Sequence, residues 1–509
     1  MKNILSSVFL GLFARVVSGA DIPRESGADI PREIGERQIQ LVSTITCPAG
    51  TSYIYALASP IPDSIASQLA TALPAVPTST PSGFQSAGGV PSTTAEIALI
   101  SALDSGCDTP GFRNIGYFGT WFVYDRQFKP SDLIVSQWTH LLVGFWNIGA
   151  GRQIYPTDPW SDLEMKTLGD ASDQPGAVNG VFEQVFRLKN ENRNLKVMLS
   201  IGGWEATRQG AWANALGTPE LRLASQSLLL KLSLIWGWTD WEYPRNKAET
   251  IMHADSVRFL RQELDTIQSV LGAERKLLLS MAAPVGPHYI KMVNIAELNN
   301  YLDFFSLMGY DMGGSFSKVA THAAPFFMAT DGSTEFCLAD GLEMYLAAGV
   351  PAEKINVLGP IYGHSFAGTD GPGKPFTGPG YSLWGDPNGV PDYNSIPIGG
   401  DNVVFEDEKI MASWTYNSQT REMISFDTPR IVELKTKYIM SRTIGGIGFW
   451  AINADKWTYA ENLVNTALTV LGGTSVLEQV NNHLGYSSSK YPNIRVYDGI
   501  KSGSGKILV

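Results

Sequence analysis

Asp240 and Glu242 stand two residues apart in the run Asp240-Trp241-Glu242-Tyr243-Pro244, at the end of an otherwise apolar segment. Side chains alternate along a strand, so a strand over Leu234–Glu242 sets positions 238, 240 and 242 on one face, with Pro244 stopping it just beyond. Two carboxylates side by side at the mouth of a buried strand are costly unless they do chemistry, and the chemistry such a pair suits is proton transfer. The plain alternative is a solvated acidic turn.

The elements that must position this pair emerge from about residue 113 onward. Short apolar, β-rich runs recur at Ile115–Phe118, His140–Phe145, Leu195–Ser200, Leu234–Glu242, Lys276–Ala283, Leu302–Tyr310, Ile355–Ile361 and Gly445–Trp450. Segments with helical spacing lie between them, among them Val181–Leu188, Ser256–Val270 and Pro429–Met440. Strand and helix alternating about eight times predict an α/β fold, a (β/α)8 TIM barrel. The other candidate, a doubly wound open sheet, lacks a GxGxxG or P-loop to open any of its helices. The interval 363–428 is too long for one helix and carries Gly/Pro-rich turns and short alternating pieces (Met411–Tyr416, Met423–Phe426), which predicts a small α+β insertion between the seventh and eighth strands.

Functional side chains of such a barrel sit at the carboxyl ends of its strands. Those ends here read Tyr117, Phe145, Ser200 to Trp204, Asp240 to Tyr243, Met281 to Pro284, Met308 to Asp311, Tyr362 and Trp450. Carboxylates, a hydroxyl and a ring of aromatics together suit a polysaccharide bearing N-acetyl groups, with flat floors for sugar faces and acids for a glycosidic bond.

The rest of the chain bounds the reading. A net charge of −11 argues against nucleic acid and anionic membrane surfaces. Residues 1–20 read as a secretory signal: Lys2, the apolar stretch Ile4–Ala14, which Arg15 interrupts, and the small residues Ser18-Gly19-Ala20. No later run of about 18 apolar residues predicts a membrane span. The heptapeptide GADIPRE occurs at Gly19–Glu25 and again at Gly27–Glu33, and residues 57–95 read as a Ser/Thr/Pro/Gly-rich linker, so 21–111 is expected to be a pro-segment and linker. A barrel over 112–470 and a tail over 471–509 complete the division. Cys47 and Cys107 could form one disulfide, leaving Cys337 unpaired. Six histidines without a paired spacing and three scattered cysteines give no metal ligand set, and no cofactor is expected. No Asn-x-Ser/Thr acceptor occurs.

Several longer motifs carry a resemblance. SIGGW at 200–204, DWEYP at 240–244, MAAPVGP at 281–287, LMGYD at 307–311, GTDGPGKPF at 368–376, SFDTP at 425–429 and LGGTSVLEQVNNHLGYSSSKYPNI at 471–494 resemble the family 18 glycoside hydrolases, in particular the secreted fungal endochitinases. The resemblance spans about residues 113–500. It implies a secreted, monomeric enzyme acting on chitin and chitooligosaccharides by a retaining, substrate-assisted route. Glu242 would be the general acid, Asp240 the partner of the substrate's acetamide N–H, and Tyr310 the donor to the acetamide carbonyl. Trp450 would floor the sugar at the cleavage point, while Tyr117, Phe145, Gly202, Gly203, Trp204, Tyr243, Met308, Asp311 and Tyr362 would line the substrate pocket.

The sequence departs from that family in two strands. The fourth strand keeps the last Asp and the Glu of DGxDxDxE; aligned without gaps, Ile235, Trp236 and Trp238 fall on the family's first Asp, Gly and middle Asp. A second alignment deletes four residues and shortens the strand by roughly 13 Å. Either way Trp238 replaces an inward acid, and the expectation is crowding and weakened turnover. In the seventh strand His364 stands where an Arg is usual. The alternative function, of a different class, is a lectin-like chitin-binding protein without turnover.

Overall fold

The computed structural model describes residues 111–149, 154–166, 174–216, 236–271, 276–383, 386–486 and 489–495, together with three strands nearer the N-terminus. The chain divides into two units, Met1–Thr109 and Pro110–Val509. In the first, Gly11–Ser18, Gln40–Thr46 and Thr51–Ala58 form an antiparallel sheet with Thr51–Ala58 in the middle, and the register of its pairing with Gln40–Thr46 shifts between Leu41 and Ser43. The segment expected to be a leader thus contains a strand, and the segment expected to be pro-segment and linker contains two. Most of the linker, along with Cys47 and Cys107, lies outside the described residues.

The second unit is a closed barrel. Its strands are β1 (Arg113–Gly119), β2 (His140–Ile148), β3 (Lys196–Gly202), β4 (Trp236–Asp240), β5 (Leu279–Ala283), β6 (Phe304–Met308), β7 (Ile355–Pro360) and β8 (Gly446–Trp450). Each pairs in parallel with its neighbours, and β1 closes the ring by pairing with both β8 and β2. The eight apolar runs of the sequence are these eight strands, with ends moved by a few residues. β4 is described from Trp236 and ends at Asp240, so Glu242 lies just past the strand.

The helices follow local signals. α1 (Gly180–Glu191), α2 (Lys247–Leu271), α3 (Leu338–Ala347), α4 (Pro429–Ser441) and α5 (Leu463–Leu471) lie between or after the strands. In α4 the Thr428 hydroxyl accepts from the Ile431 N–H and Pro429 occupies the first turn, the arrangement that the motif SFDTP encodes. In α5 Asn462 caps the start, and Gly472 ends the helix at φ 110°, where a side chain would be strained. Between β7 and β8, the strands His364–Ala367, Gly378–Pro379, Asn402–Asp407, Ala412–Asn417 and Glu422–Phe426 form a five-stranded antiparallel sheet. That sheet is the expected insertion.

The amino ends of the strands are sealed by the C-terminal tail. Phe112 bridges Leu477, and the next residue, Glu478, turns its carboxylate to Lys196 Nζ at 2.5 Å and to Arg113 at 4.0 Å. His140 sits in the same cluster; burial and the Lys196 and Arg113 charges outweigh Glu478 and push its pKa down to about 3. Asn482 donates to the carbonyls of Lys189 and Leu195, each at 2.8 Å, and so stitches the tail beneath β3. Among the described residues no helix is long and apolar enough to cross a membrane.

Candidate active site

Register brings the acids together at the opposite end. Across β3 and β4, Ser200 pairs with Trp238 and Gly202 with Asp240; across β4 and β5, Trp238 pairs with Ser280. Gly202 and Gly203 take φ of 112° and 83°. A Cβ on Gly202 would lie 2.3 Å from the Asp240 carbonyl oxygen, and one on Gly203 would lie 3.0 Å from the Phe145 ring. These glycines are required by close approach, and they let β3 end tightly against β4. The side chains of Trp236 and Trp238 lie outside the described residues, as does Ile235, so the expected crowding under Asp240 falls there too.

Asp240 is 2% exposed. Its Oδ2 accepts from the Tyr117 hydroxyl and, at 3.2 Å, from Ser200 Oγ; Tyr117 and Ser200 also touch each other. The carboxylate is therefore held from β1 and β3 at once. Tyr117, expected to line the substrate pocket, is buried and spends its hydroxyl on Asp240.

Glu242 is half-buried, and its backbone N–H donates to Thr207 Oγ1 at 3.0 Å, which fixes the chain as it leaves β4. Burial pushes its carboxyl well above the usual range. The negative charges of Asp240 and Asp311 add to this, as does a hydrogen bond between the two acids, with the Trp204 backbone N–H pulling the other way. A carboxyl held neutral beside a carboxylate is a proton donor at pH values where an exposed Glu is spent.

The third group follows β6. Tyr310 is pushed well up by burial and by the charges of Glu242, Asp240 and Asp311, so its hydroxyl stays a donor. Asp311, at φ 55°, has a half-exposed side chain whose Oδ1 accepts from the Tyr362 hydroxyl at 2.6 Å and meets His364 Nε2 at 2.8 Å. Burial raises its pKa, but the His364 and Tyr362 contacts outweigh this and leave it below the usual value.

Aromatic rings complete the wall. Trp450, at the end of β8, meets the Tyr117 ring edge-on at 4.5 Å and Phe145 at 5.9 Å. Tyr243 packs on Tyr289 at 4.4 Å, and Met308 and Tyr362 are buried. Trp204 is 57% exposed, which leaves its indole open for a ligand. All thirteen candidate residues thus lie within about three residues of the carboxyl ends of β1, β2, β3, β4, β6, β7 and β8. Sequence reasoning passed over Ser200 as a holder of Asp240, although it opens the SIGGW motif. It also passed over Trp121, which stacks on Phe145 at 5.8 Å and 19° and which no local signal marked. Among the described residues no cluster of His, Cys, Asp and Glu could hold a metal ion.

A family profile described as glycosyl hydrolases family 18 matches residues 113–455. The chain belongs to this family. Endochitinase 1 of Metarhizium robertsii is 35% identical over 410 residues, covering 78% of this chain and 93% of the relative. Chitinase 1 of Aphanocladium album is 35% identical over 421 residues, covering 78% and 97%. Among solved structures, the family 18 barrel is similar to the Ostrinia furnacalis Group IV chitinase in complex with allosamidin, with a TM-score of 0.62, 25% identity and coverage of 71% and 98%. The catalytic domain of the psychrophilic chitinase B from Arthrobacter TAD20 gives a TM-score of 0.63 at 23% identity, covering 72% and 95%, a likeness of fold.

Proposed function

We propose that this chain is an endo-acting chitinase that cleaves β-1,4 bonds between N-acetylglucosamine units with retention of configuration. The observation that carries the reading is the placing of Glu242 just past β4 beside Asp240, where burial and Asp240 push its carboxyl up, with Asp240 itself held by Tyr117. The names of the relatives at 35% identity support chitin as the substrate.

In this reading Glu242 gives its proton to the glycosidic oxygen as the C1–O bond breaks. The substrate's acetamide oxygen attacks C1 and forms an oxazolinium ion. Asp240 accepts a hydrogen bond from the acetamide N–H and stabilises the positive charge, while the Tyr310 hydroxyl donates to the acetamide oxygen and holds it in line. Glu242, now a carboxylate, takes a proton from the water that attacks C1. Trp450 and Trp204 offer flat surfaces to the sugars. The Lys2, Ile4–Ala14 and Ser18–Ala20 pattern supports export of the enzyme.

The test is hydrolysis of a short fluorogenic chitooligosaccharide, with the product anomer followed by NMR. Turnover yielding the β-anomer, and a Glu242→Gln variant at least about 100-fold slower, is the expected result. Chitin binding without any turnover by the wild-type chain would establish the lectin-like alternative instead.

A further inference from the structure

Past Asp240 the pairing of β4 ends, and residues 241–245 belong to no strand or helix, so ladder bonds cannot place Glu242. The chain is held there by the segment that follows β3. Thr207, 7% exposed in the short helix Gly203–Arg208, accepts from the Glu242 backbone N–H through Oγ1 at 3.0 Å. Trp204, one turn earlier on the same helix, offers its backbone N–H to the Glu242 carboxyl. The next helix, Ala211–Leu216, carries Trp212, whose ring stacks on Trp241 at 5.6 Å and 7°. Both indoles are 3% exposed, and His253 of α2 closes on Trp241 edge-on at 5.7 Å.

Residues 204–212 thus grip the acid through the ring before it, its own amide and its carboxyl. Stacking of Trp241 on Trp212 tolerates sliding, whereas the amide bond is directional. An N–H aimed at a hydroxyl fixes both the position and the rotation of the peptide that carries Glu242, and the side chain turns with that peptide. The gripping segment is itself seated on the site. A Cβ on Gly202 would lie 2.6 Å from Trp212 Nε1, and one on Gly203 would meet the Phe145 ring. Gly202 also pairs with Asp240, so the Thr207 hydroxyl and the Asp240 carboxylate are referred to one framework.

We infer that Thr207 is a positioning residue for the proton donor: by holding the Glu242 amide, its hydroxyl aims the Glu242 carboxyl at the oxygen of the bond to be cleaved. This role rests on the reading of Glu242 as that donor. Thr207 acts through the main chain and moves no proton itself. Without its oxygen the amide of residue 242 loses its acceptor, and the peptide is free to turn. A displaced acid slows bond cleavage that needs a proton and spares cleavage that does not.

The test compares kcat/KM of the full chain and its variants on two substrates. Chitotetraose has a leaving sugar that needs a proton; a dinitrophenyl chitobioside has a phenolate that leaves without one. Thr207→Val keeps the branched shape and loses the acceptor, and Thr207→Ser keeps the acceptor. Thr207→Val is expected to lose about 10-fold on chitotetraose and less than about threefold on the dinitrophenyl substrate. Thr207→Ser should stay within about threefold of wild type on both. Equal losses on the two substrates, or no loss on either, would overturn the role of Thr207. Glu242→Gln, measured alongside, separates the two claims. If it retains chitotetraose turnover, or if the wild-type chain has none, the reading of Glu242 falls and the role of Thr207 with it. If it is at least about 100-fold slower while Thr207→Val is unimpaired, the role of Thr207 falls alone. Should Thr207→Val give no soluble protein, Thr207→Ala removes the same acceptor. A second measurement needs no turnover: hydrogen exchange in the peptide covering residues 240–244, read by mass spectrometry, should quicken in Thr207→Val and not in Thr207→Ser. Exchange that is the same in wild type and both variants overturns the hold on the Glu242 amide.

Discussion

Replacing Tyr117 by Phe tests the site at the point where the first strand acts on the fourth. The phenyl ring keeps the packing against Trp450 and Phe145, and only the hydroxyl is lost. That hydroxyl donates to the buried Asp240 carboxylate, and a hydrogen bond to a charged group contributes about 1.5–3 kcal/mol. Ser200 still reaches the same oxygen at 3.2 Å, so the lower part of that range applies, about 1.5–2 kcal/mol. If Asp240 stabilises the positive charge of the transition state, the loss appears in kcat/KM at about 1.4 kcal/mol per tenfold, giving a fall of roughly 10- to 30-fold. The sign of the pH effect follows as well. A carboxylate with one donor fewer protonates more readily, so the acid limb of the profile moves to higher pH. The assay is the pH dependence of kcat and KM on a soluble fluorogenic chitooligosaccharide. Activity within twofold of wild type with an unmoved acid limb would refute the claim that β1 holds Asp240 for catalysis.

Three further outcomes are expected. Glu242→Gln should raise thermal stability at neutral pH by about a few degrees while removing activity. The raised carboxyl favours the fold below the unfolded-state pKa and loses that contribution as pH rises toward its folded value, so the gain should shrink at acid pH, as melting curves at several pH values would show. Glu478→Gln leaves Lys196 buried without its counter-charge and should cost about 3–5 kcal/mol in denaturant unfolding at pH 7. Its partners outweigh burial and hold Glu478 down to about 2, so the wild-type advantage is present above the unfolded-state pKa and fades as pH falls toward 2. Gly202→Ala would force a Cβ to within 2.3 Å of the Asp240 carbonyl at a φ of 112°, and is expected to lower stability by more than about 4 kcal/mol or to prevent recovery of soluble protein, as read by expression and unfolding.

Much of the fold was legible because each barrel strand is a short apolar run and several helices carry their own stop and start signals, such as Thr428-Pro429 and Gly472. Boundaries were less legible. Where a strand ends is set by pairing: β4 stops where Asp240 pairs with Gly202, which leaves Glu242 beyond it. The pairing of Gly11–Ser18 with Thr51–Ala58 was not legible either, because an apolar run does not say which distant run it meets.

The sequence by itself determined the chemical inventory: two acids two residues apart, a Tyr-Asp pair at the end of the sixth run, glycines before Trp204, and aromatics at strand ends. It determined these because local spacing and residue type are written into the chain. Only the tertiary structure decided which groups act on one another. Tyr117 and Asp240 are 123 residues apart in the chain, Asp311 and His364 are 53 apart, and Lys196 meets Glu478 across the amino ends of the strands. Ring closure of β1 onto β2 and β8 makes these meetings possible, because no local rule specifies which distant strand ends converge. The same closure turns Glu242 from an acidic residue in a pentapeptide into a carboxyl whose pKa burial and the charges of Asp240 and Asp311 push well up.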